Sequence, residues 1–484
     1  DTGRSLSVHA SSTDDQLSGT ELAMRFGILA FISVIIGALT RYAWGLSHSQ
    51  TISVTVFLVI ILATLFFWSF RLAIAFIGLP VLILTRTLEL ECFRQHCSLE
   101  VILFLIGMMV VVGGLRDLGF FTWIIQAILK MKGMTGMRFV LVSAGASALT
   151  ASMVDEVTSI LFMAALIFQV CDVLKVRPVP FLIICVMATN VGSAGTMLGN
   201  PVGILIGSRA GLTFEDFIVW AFPVMLFSLV ATILLLIVWY RKEIRELDKR
   251  LKQRRDHALP LGPTVAVPVR AGLLLIGGTI GLVALHHRIE LLLGLETNTV
   301  LYMAPLVAAG IVMIWRRGRA RHYIEHDVEW WTLLFFLMLF GVAGTLQYTE
   351  VTGEIASSMK NFVGTDINIM IPVIMFLSAI GSAFIDNVIF VAAFIPVLQE
   401  LVGEAPAVHP AWWALLFGAC FGGNITMIGS TANIVALGMM EKRYRTRIDF
   451  LEWFRVGLAA GITACLVAWL ALLVTGPLMP GAQV

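Results

Sequence analysis

Apolar stretches of about 17 to 24 residues recur along this chain, and they decide what it can fold into. One reads "ELAMRFGILAFISVIIGALTRYAW" and another "FPVMLFSLVATILLLIVWY". Crossing the hydrocarbon core takes roughly 20 residues of helix. Inside lipid every backbone polar group must be paired internally, which leaves helices or a closed barrel. A barrel would show alternating segments of about 10 residues, and none are visible. The chain is 58% hydrophobic and 13% charged over 484 residues, against roughly 45–50% and 25% in soluble proteins. These features predict an all-α polytopic membrane protein of about 11 spans.

The net charge of +2 gives no reason to expect a nucleic-acid partner. Residues 1–20 are polar and read as a disordered tail, followed by a first transmembrane helix over 21–49. No cleavable signal peptide is evident. Cys171, Cys185, Cys420 and Cys465 lie in apolar runs and read as small core residues. Cys92 and Cys97 lie in a loop and could pair if that loop is periplasmic. Lys and Arg cluster in Arg241–Arg255, Arg316–Arg321 and Glu441–Arg447. Cytoplasmic loops collect these residues, so all three are expected inside, with two spans, about 270–287 and 296–315, between the first two. The C-terminus is then expected outside.

Two acid-bearing segments break the apolar pattern. "LTASMVDEVTSILFMAAL" carries Asp155 and Glu156, and "LSAIGSAFIDNVIFVAAFIPVL" carries Asp386 and Asn387. Lys130, Lys132, Arg138, Lys175 and Arg177 bracket the first on the cytoplasmic side. Glu400, Glu404 and His409 follow the second on the outer side. Aligned on Asp155 and Asp386, the halves also match "AGTMLGNPVGIL" with "NITMIGSTANIV" and "TFEDFIVW" with "DFLEWFRV". Opposite entry and shared order predict inverted repeats, 50–240 and 270–476, joined by a basic cytoplasmic linker at 241–269. Residues 477–484 form a C-terminal tail. Such repeats typify secondary transporters, with the site near the midplane where interrupted helices meet.

The Gly- and Asn-rich segments "ATNVGSAGTMLGNPVG" and "GACFGGNITMIGSTANIVALG" are the expected interruptions. Gly loosens a helix and Pro201 removes a donor. Irregular backbone at membrane depth must be buried in protein or line an aqueous cavity. Close helix packing would explain the Gly, but not Asn190, Asn200, Asn424 and Asn433. A carboxylate at the bilayer centre costs several kcal/mol unless paired, hydrated or protonated. Each acid is therefore placed at the tip of a re-entrant hairpin, where it can coordinate a cation or carry a proton. The alternative is an N-cap for the second hairpin helix, and a cap can also be a ligand. Glu156 reads either as a proton carrier or as a first-turn acid favoured by the helix dipole. His286 and His287 are expected at a membrane edge, and Trp330–Trp331 and Trp412–Trp413 in the aromatic belt. Phe120 to Lys132 reads as an interfacial helix.

"GACFGGNITMIGSTANIVALGMMEK", preceded by "FIDNVIFVAAFIPVL", resembles the ion-transporter superfamily. The chain is most similar to the branch of arsenite permeases, NhaD-type sodium/proton antiporters and the melanosomal P protein, over roughly residues 50–475. Citrate-transporter-like proteins are more distant. The resemblance implies two inverted repeats, each with a re-entrant hairpin and a broken helix, in a homodimer with elevator-like alternating access. The hairpin-tip motif falls on Asp386, Asn387 and Val388. Its first-repeat equivalent falls on Asp155, Glu156, Val157 and Thr158, with Glu in place of Asn. The broken-helix motif falls on Asn424, Thr426, Ser430, Thr431 and Asn433, and on Asn190, Thr196, Gly199, Asn200 and Pro201. Here "GNPVG" departs from the more usual Gly-Asp-Pro-Pro-Asn and lacks one carboxylate.

The expected function is secondary active transport across the inner membrane by proton- or sodium-coupled antiport, either sodium/proton exchange or arsenite-type efflux. Sodium is placed at Asp155, Asp386 and Asn387, and no cofactor beyond sodium or a proton is expected. The partners are the small ion, the bilayer and a second copy of the chain. Symport of a small anion such as a dicarboxylate or citrate is the alternative. Neither broken-helix segment carries an Arg or Lys to hold such an anion. An intramembrane enzyme or a channel is more remote, since the Gly-x-Gly-Asp motif of an aspartyl protease is missing and the antisymmetric repeat argues against a channel.

Overall fold

A computed structural model describes residues 18–67, 70–255, 268–296, 298–364 and 366–479. Among these residues every regular element is helical. In chain order the helices are α1 (Gly19–Ala38), α2 (His48–Phe66), α3 (Arg71–Leu84), α4 (Leu90–His96), α5 (Leu99–Asp117) and α6 (Phe120–Leu129). The first hairpin is α7 (Gly136–Met153) and α8 (Glu156–Leu174), followed by α9 (Val179–Ser193) and α10 (Pro201–Ala210). Next, α11 (Phe214–Asp216) passes through a π-turn into α12 (Phe222–Trp239), and α13 (Arg241–Arg255) follows. Then come α14 (Val269–Ala284), α15 (His286–Leu293), α16 (Thr299–Trp315), α17 (Ala320–His322), α18 (Trp330–Tyr348) and α19 (Val351–Val363). The second hairpin is α20 (Ile367–Phe384) and α21 (Asn387–Glu404), followed by α22 (Ala411–Gly422), α23 (Thr431–Tyr444) and α24 (Phe450–Thr475).

Side-chain caps set many of these boundaries. Ser18 with Glu21, Ser47 with Gln50 and Thr213 with Asp216 form reciprocal capping boxes. A cap satisfies amide donors that a helix start otherwise leaves bare. Among the described residues seven helical segments are long and apolar enough to cross a membrane, or eight if the α14–α15 pair, bent by 53°, counts as one. The expected count of about eleven therefore draws on shorter apolar helices such as Val179–Ser193 and Thr299–Trp315. Breaks within the Gly/Asn-rich segments make some of them short. The segment read as a basic linker is helical over Arg241–Arg255, and the rest of its loop, 256–267, lies outside the described residues.

Two compact units emerge: residues up to Ser98 with Trp331–Ile355, and Leu99–Trp330 with Ala356 onwards. In the first, Phe67 and Ala63 are fully buried against Leu29, and the Arg71 guanidinium lies 4.9 Å from the Phe335 ring centre. The second contains both hairpins and both broken helices. All 15 residues of α9 and all 12 of α22 are buried. These two helices form its innermost layer. At the foot of the first hairpin, the Gly136 amide donates to Asp248 of α13 at 3.1 Å.

Two expected membrane-edge positions differ. His286 is fully buried, its Nδ1 bonded to the Val283 carbonyl at 2.7 Å. Trp412 and Trp413 are buried in α22 rather than facing a belt, because α22 is enclosed by protein on every side. Trp330 and Trp331 are exposed. Cys92 and Cys97 are separate thiols.

Candidate functional site

Each hairpin turns at its aspartate. Asp155 caps α8, its Oδ1 accepting from the Thr158 amide at 2.7 Å. Asp386 caps α21, its Oδ1 accepting from the Val388 amide at 3.1 Å. The residue after each cap is the first of its helix and points into protein: Glu156 is 3% exposed and Asn387 0%. Capping uses Oδ1 of each aspartate.

The breaks repeat one another in detail. The Thr196 hydroxyl donates to the Ser152 carbonyl and accepts from the Leu198 amide. The Thr426 hydroxyl donates to the Ala383 carbonyl and accepts from the Ile428 amide. Each threonine thus fastens a break to the end of its own hairpin's first arm. Both hydroxyls hold the unwound backbone in shape. Small residues let the arms meet. A Cβ on Gly192 would lie 2.4 Å from the Ala148 Cα, and one on Gly422 would lie 2.4 Å from the Ala379 Cα.

Four buried amides join the breaks across the two halves. Asn190 Nδ2 donates to Asn424 Oδ1 at 2.9 Å and to Asn433 Oδ1 at 2.8 Å. Asn433 Nδ2 donates to the carbonyls of Gly423 and Thr426, at 2.7 and 2.9 Å. It thereby satisfies acceptors that the break removed from the helical ladder. Asn200 caps α10 through the Gly203 amide, and its Nδ2 reaches Ser193 Oγ at 2.9 Å and Cys420 Sγ at 3.2 Å.

The acids reach the second break from both hairpins. Ser430 Oγ donates to Glu156 Oε1 at 3.1 Å, and Thr431 Oγ1 donates to Asp386 Oδ2 at 2.6 Å. Glu156 and Asp386 thus both bond the start of α23, while the described bond of Asp155 is its cap on the Thr158 amide. Thr158 is buried beside Asp155 and serves its cap. Among the described residues no three His, Cys, Asp or Glu side chains gather as a metal centre.

A citrate transporter family profile matches residues 56–418. The chain belongs to that family. It is 35% identical over 377 residues to an uncharacterized transporter of Mycobacterium tuberculosis, covering 77% of this chain and 85% of that one. It is 30% identical over 455 residues to the P protein of Homo sapiens, covering 78% of this chain and 54% of that protein. The fold resembles the crystal structure of the YdaH transporter of Alcanivorax borkumensis, with a TM-score of 0.58 at 16% identity over 90% of this chain and all of that one. This chain is a multi-pass membrane transporter of the citrate transporter family.

Sequence reasoning missed four residues that bond or pack against the candidate site. Ser193 and Cys420 hold the Asn200 amide. Trp453 Nε1 donates to the Asn424 carbonyl at 3.1 Å, and a Cβ on Gly457 would lie 2.3 Å from that same oxygen. A lone Ser or Cys in an apolar run gives no signal of its own. The Trp453–Gly457 pair, four residues apart on one helix face, was the available clue to a close backbone approach.

Proposed function

We propose that this transporter moves a small inorganic ion by proton- or sodium-coupled antiport with alternating access. The observation that carries the reading is the pair of buried carboxyls, Glu156 and Asp386, which meet hydroxyls and no basic side chain among their described hydrogen bonds. Placing one charge at the bilayer centre costs about 2.5–3.5 kcal/mol on insertion scales, so two cost roughly 5–7 kcal/mol. The N-termini of α8, α21 and α23 lie here, each worth about 0.3–1 kcal/mol to a nearby anion. That leaves a deficit of several kcal/mol, which a proton or a cation removes. A site whose neutralisation depends on a bound positive charge is suited to coupling.

The family description favours a second reading, sodium- or proton-coupled symport of citrate or a related carboxylate. The described hydrogen bonds of Asn190, Asn200, Asn424 and Asn433 involve no Lys, Arg or His. That weighs against a polyanion bound without an accompanying cation. The Lys/Arg asymmetry supports an inner-membrane orientation with α13 cytoplasmic and the C-terminus outside. The sequence resemblance supports a homodimer with elevator-like motion.

Proteoliposomes separate the readings. Sodium-driven proton movement in the absence of citrate, or arsenite efflux driven by a proton gradient, supports antiport. Labelled citrate uptake that requires sodium or protons, with no cation exchange in its absence, establishes symport instead.

A further inference from the structure

We propose that the exposed face of α13 binds anionic lipid headgroups at the bilayer surface and so ties the foot of the first hairpin to that leaflet. Helix α13 begins one residue after the apolar segment Phe214–Trp239 ends, with Tyr240 between them. Its start therefore lies at a membrane edge. Ile244, Leu247 and Leu251, three and four residues apart, are buried, and α13 packs on α7. The Gly136 amide donates to Asp248 at 3.1 Å, and a Cβ on Gly136 would lie 2.4 Å from the Ile244 carbonyl oxygen. One side of α13 is thus fixed to the hairpin arm that leads to Asp155 and Glu156.

The opposite side is basic. Arg241, Lys242, Arg245, Lys249, Arg250 and Lys252 are exposed. Two of these charges are neutralised within the helix, Arg250 by Glu246 and Lys252 by Asp248, each at 2.9 Å. Arg241, Lys242, Arg245 and Lys249 make no ion pair among the described residues. Residues 241, 245 and 249 lie four apart and form one stripe, about 12 Å long at 1.5 Å per residue. Lys130, Lys132 and Arg138 are also exposed and flank the Gly136 contact. Met131 and Met137 are exposed among them. Basic side chains interleaved with exposed apolar ones suit the headgroup region of a membrane. Topology alone favours bases in such a loop, but it does not require them on one face of a helix whose other face is fixed to protein. A row of charges of this length matches a sheet of headgroups better than it matches one soluble anion.

The test puts a fluorophore on the same exposed face through Gln253→Cys in the full chain, whose native cysteines are buried. The protein is reconstituted into phosphatidylcholine vesicles that carry a trace of nitroxide-labelled phosphatidylglycerol or, in parallel, nitroxide-labelled phosphatidylcholine. Quenching reports which lipid collects beside α13. Both leaflets have the same composition, so the result does not depend on which way the chain inserts. We expect phosphatidylglycerol to be enriched at least roughly fivefold, the effect of one basic side chain at an anionic surface. The enrichment should fall towards none in about 1 M salt, where the Debye length shrinks to about 3 Å. Replacing Arg241, Lys242, Arg245 and Lys249 together by Gln should abolish it, whereas Arg241→Lys with Arg245→Lys should keep it. Gln is a good helix former, so the Gln variant should keep the wild-type Tm; should it fail to fold, the salt series on the wild type decides alone. Equal quenching by the two lipids in the wild type, or an enrichment that survives the four Gln substitutions or high salt, overturns the proposal. Loss of the enrichment on adding soluble glycerol phosphate at constant ionic strength would assign the face to a soluble anion and overturn the lipid assignment.

Discussion

Asn190→Asp keeps the side-chain volume and removes the donor that joins the two broken helices. The native amide gives one hydrogen to Asn424 and one to Asn433. An ionised carboxylate sets oxygen against both acceptors. Asn424 can reorient cheaply, since its own Nδ2 makes only a 3.4 Å bond to the Met187 carbonyl. Asn433 cannot, because turning it would strip the Gly423 and Thr426 carbonyls of their donor. A side-chain hydrogen bond between membrane helices is worth about 0.6 kcal/mol on average and up to about 1.7. A buried acceptor left bare costs roughly 1–3 kcal/mol. One bond is therefore recoverable and one is not, and the expected loss is roughly 2–4 kcal/mol. At about 2–4 °C per kcal/mol, Tm should fall by roughly 5–15 °C. The assay is thermal unfolding of purified wild type and variant, followed by tryptophan fluorescence at one scan rate, with flux measured in parallel. Asn190→Ala is the milder control, since it adds no charge. A Tm for Asn190→Asp within about 1 °C of wild type, far inside the predicted shift, would show that the amide junction is not what joins the halves.

Asp386→Asn should cut coupled flux at least roughly tenfold, equivalent to about 1.4 kcal/mol in the barrier, with little loss of stability because Asn caps a helix about as well as Asp. Asp155→Asn should cost less flux than Asp386→Asn, because the described bond of Asp155 is its cap on the Thr158 amide, whereas Asp386 also bonds Thr431 at the start of α23; the reverse order in a proteoliposome comparison would refute this reading. Gly422→Ala should destabilise by about 1–3 kcal/mol through overpacking, since its Cβ would lie 2.4 Å from the Ala379 Cα and carbonyl oxygen; wild-type Tm in that variant would contradict it. Gln253→Cys, on the exposed face of α13, should resist an impermeant thiol reagent in intact cells, and ready labelling would invert the assigned orientation.

The hairpins and breaks were legible because both violate the rule that lipid-facing segments are apolar. Asp155 and Asp386 sit where only a cap or a ligand justifies a charge, and both prove to be caps. Gly192 and Gly422 mark the close approaches and recur in step with the acids. The pairing of acids was not legible. Asp155 and Asp386 correspond as caps at the two hairpin turns, but it is Glu156 and Asp386 that bond the start of α23. Residues equivalent by repeat sit in equivalent places in their own halves. Which of them meet is set by how the halves interlock, and no spacing along the chain encodes that.

The buried tryptophans show a related limit with a functional consequence. A helix in lipid and a helix enclosed by other helices can have the same composition, because lipid tails and leucine side chains are equally apolar. Trp412–Trp413 at the start of an apolar run therefore looks like a membrane-edge pair, but it is buried, whereas Trp330–Trp331 is exposed. What distinguishes α22 and α9 is that no face is left over for lipid: every residue is buried. These are also the helices that lead into the breaks. The backbone least able to find water is thus the backbone that has lost its helical partners, which explains why asparagines and threonines concentrate there. Asn433 and Thr426 supply the missing donors and acceptors from side chains. The unwound backbone is thus held by side-chain bonds. Glu156 Oε2 and the Asn387 amide are the buried polar atoms beside these breaks that no such bond satisfies.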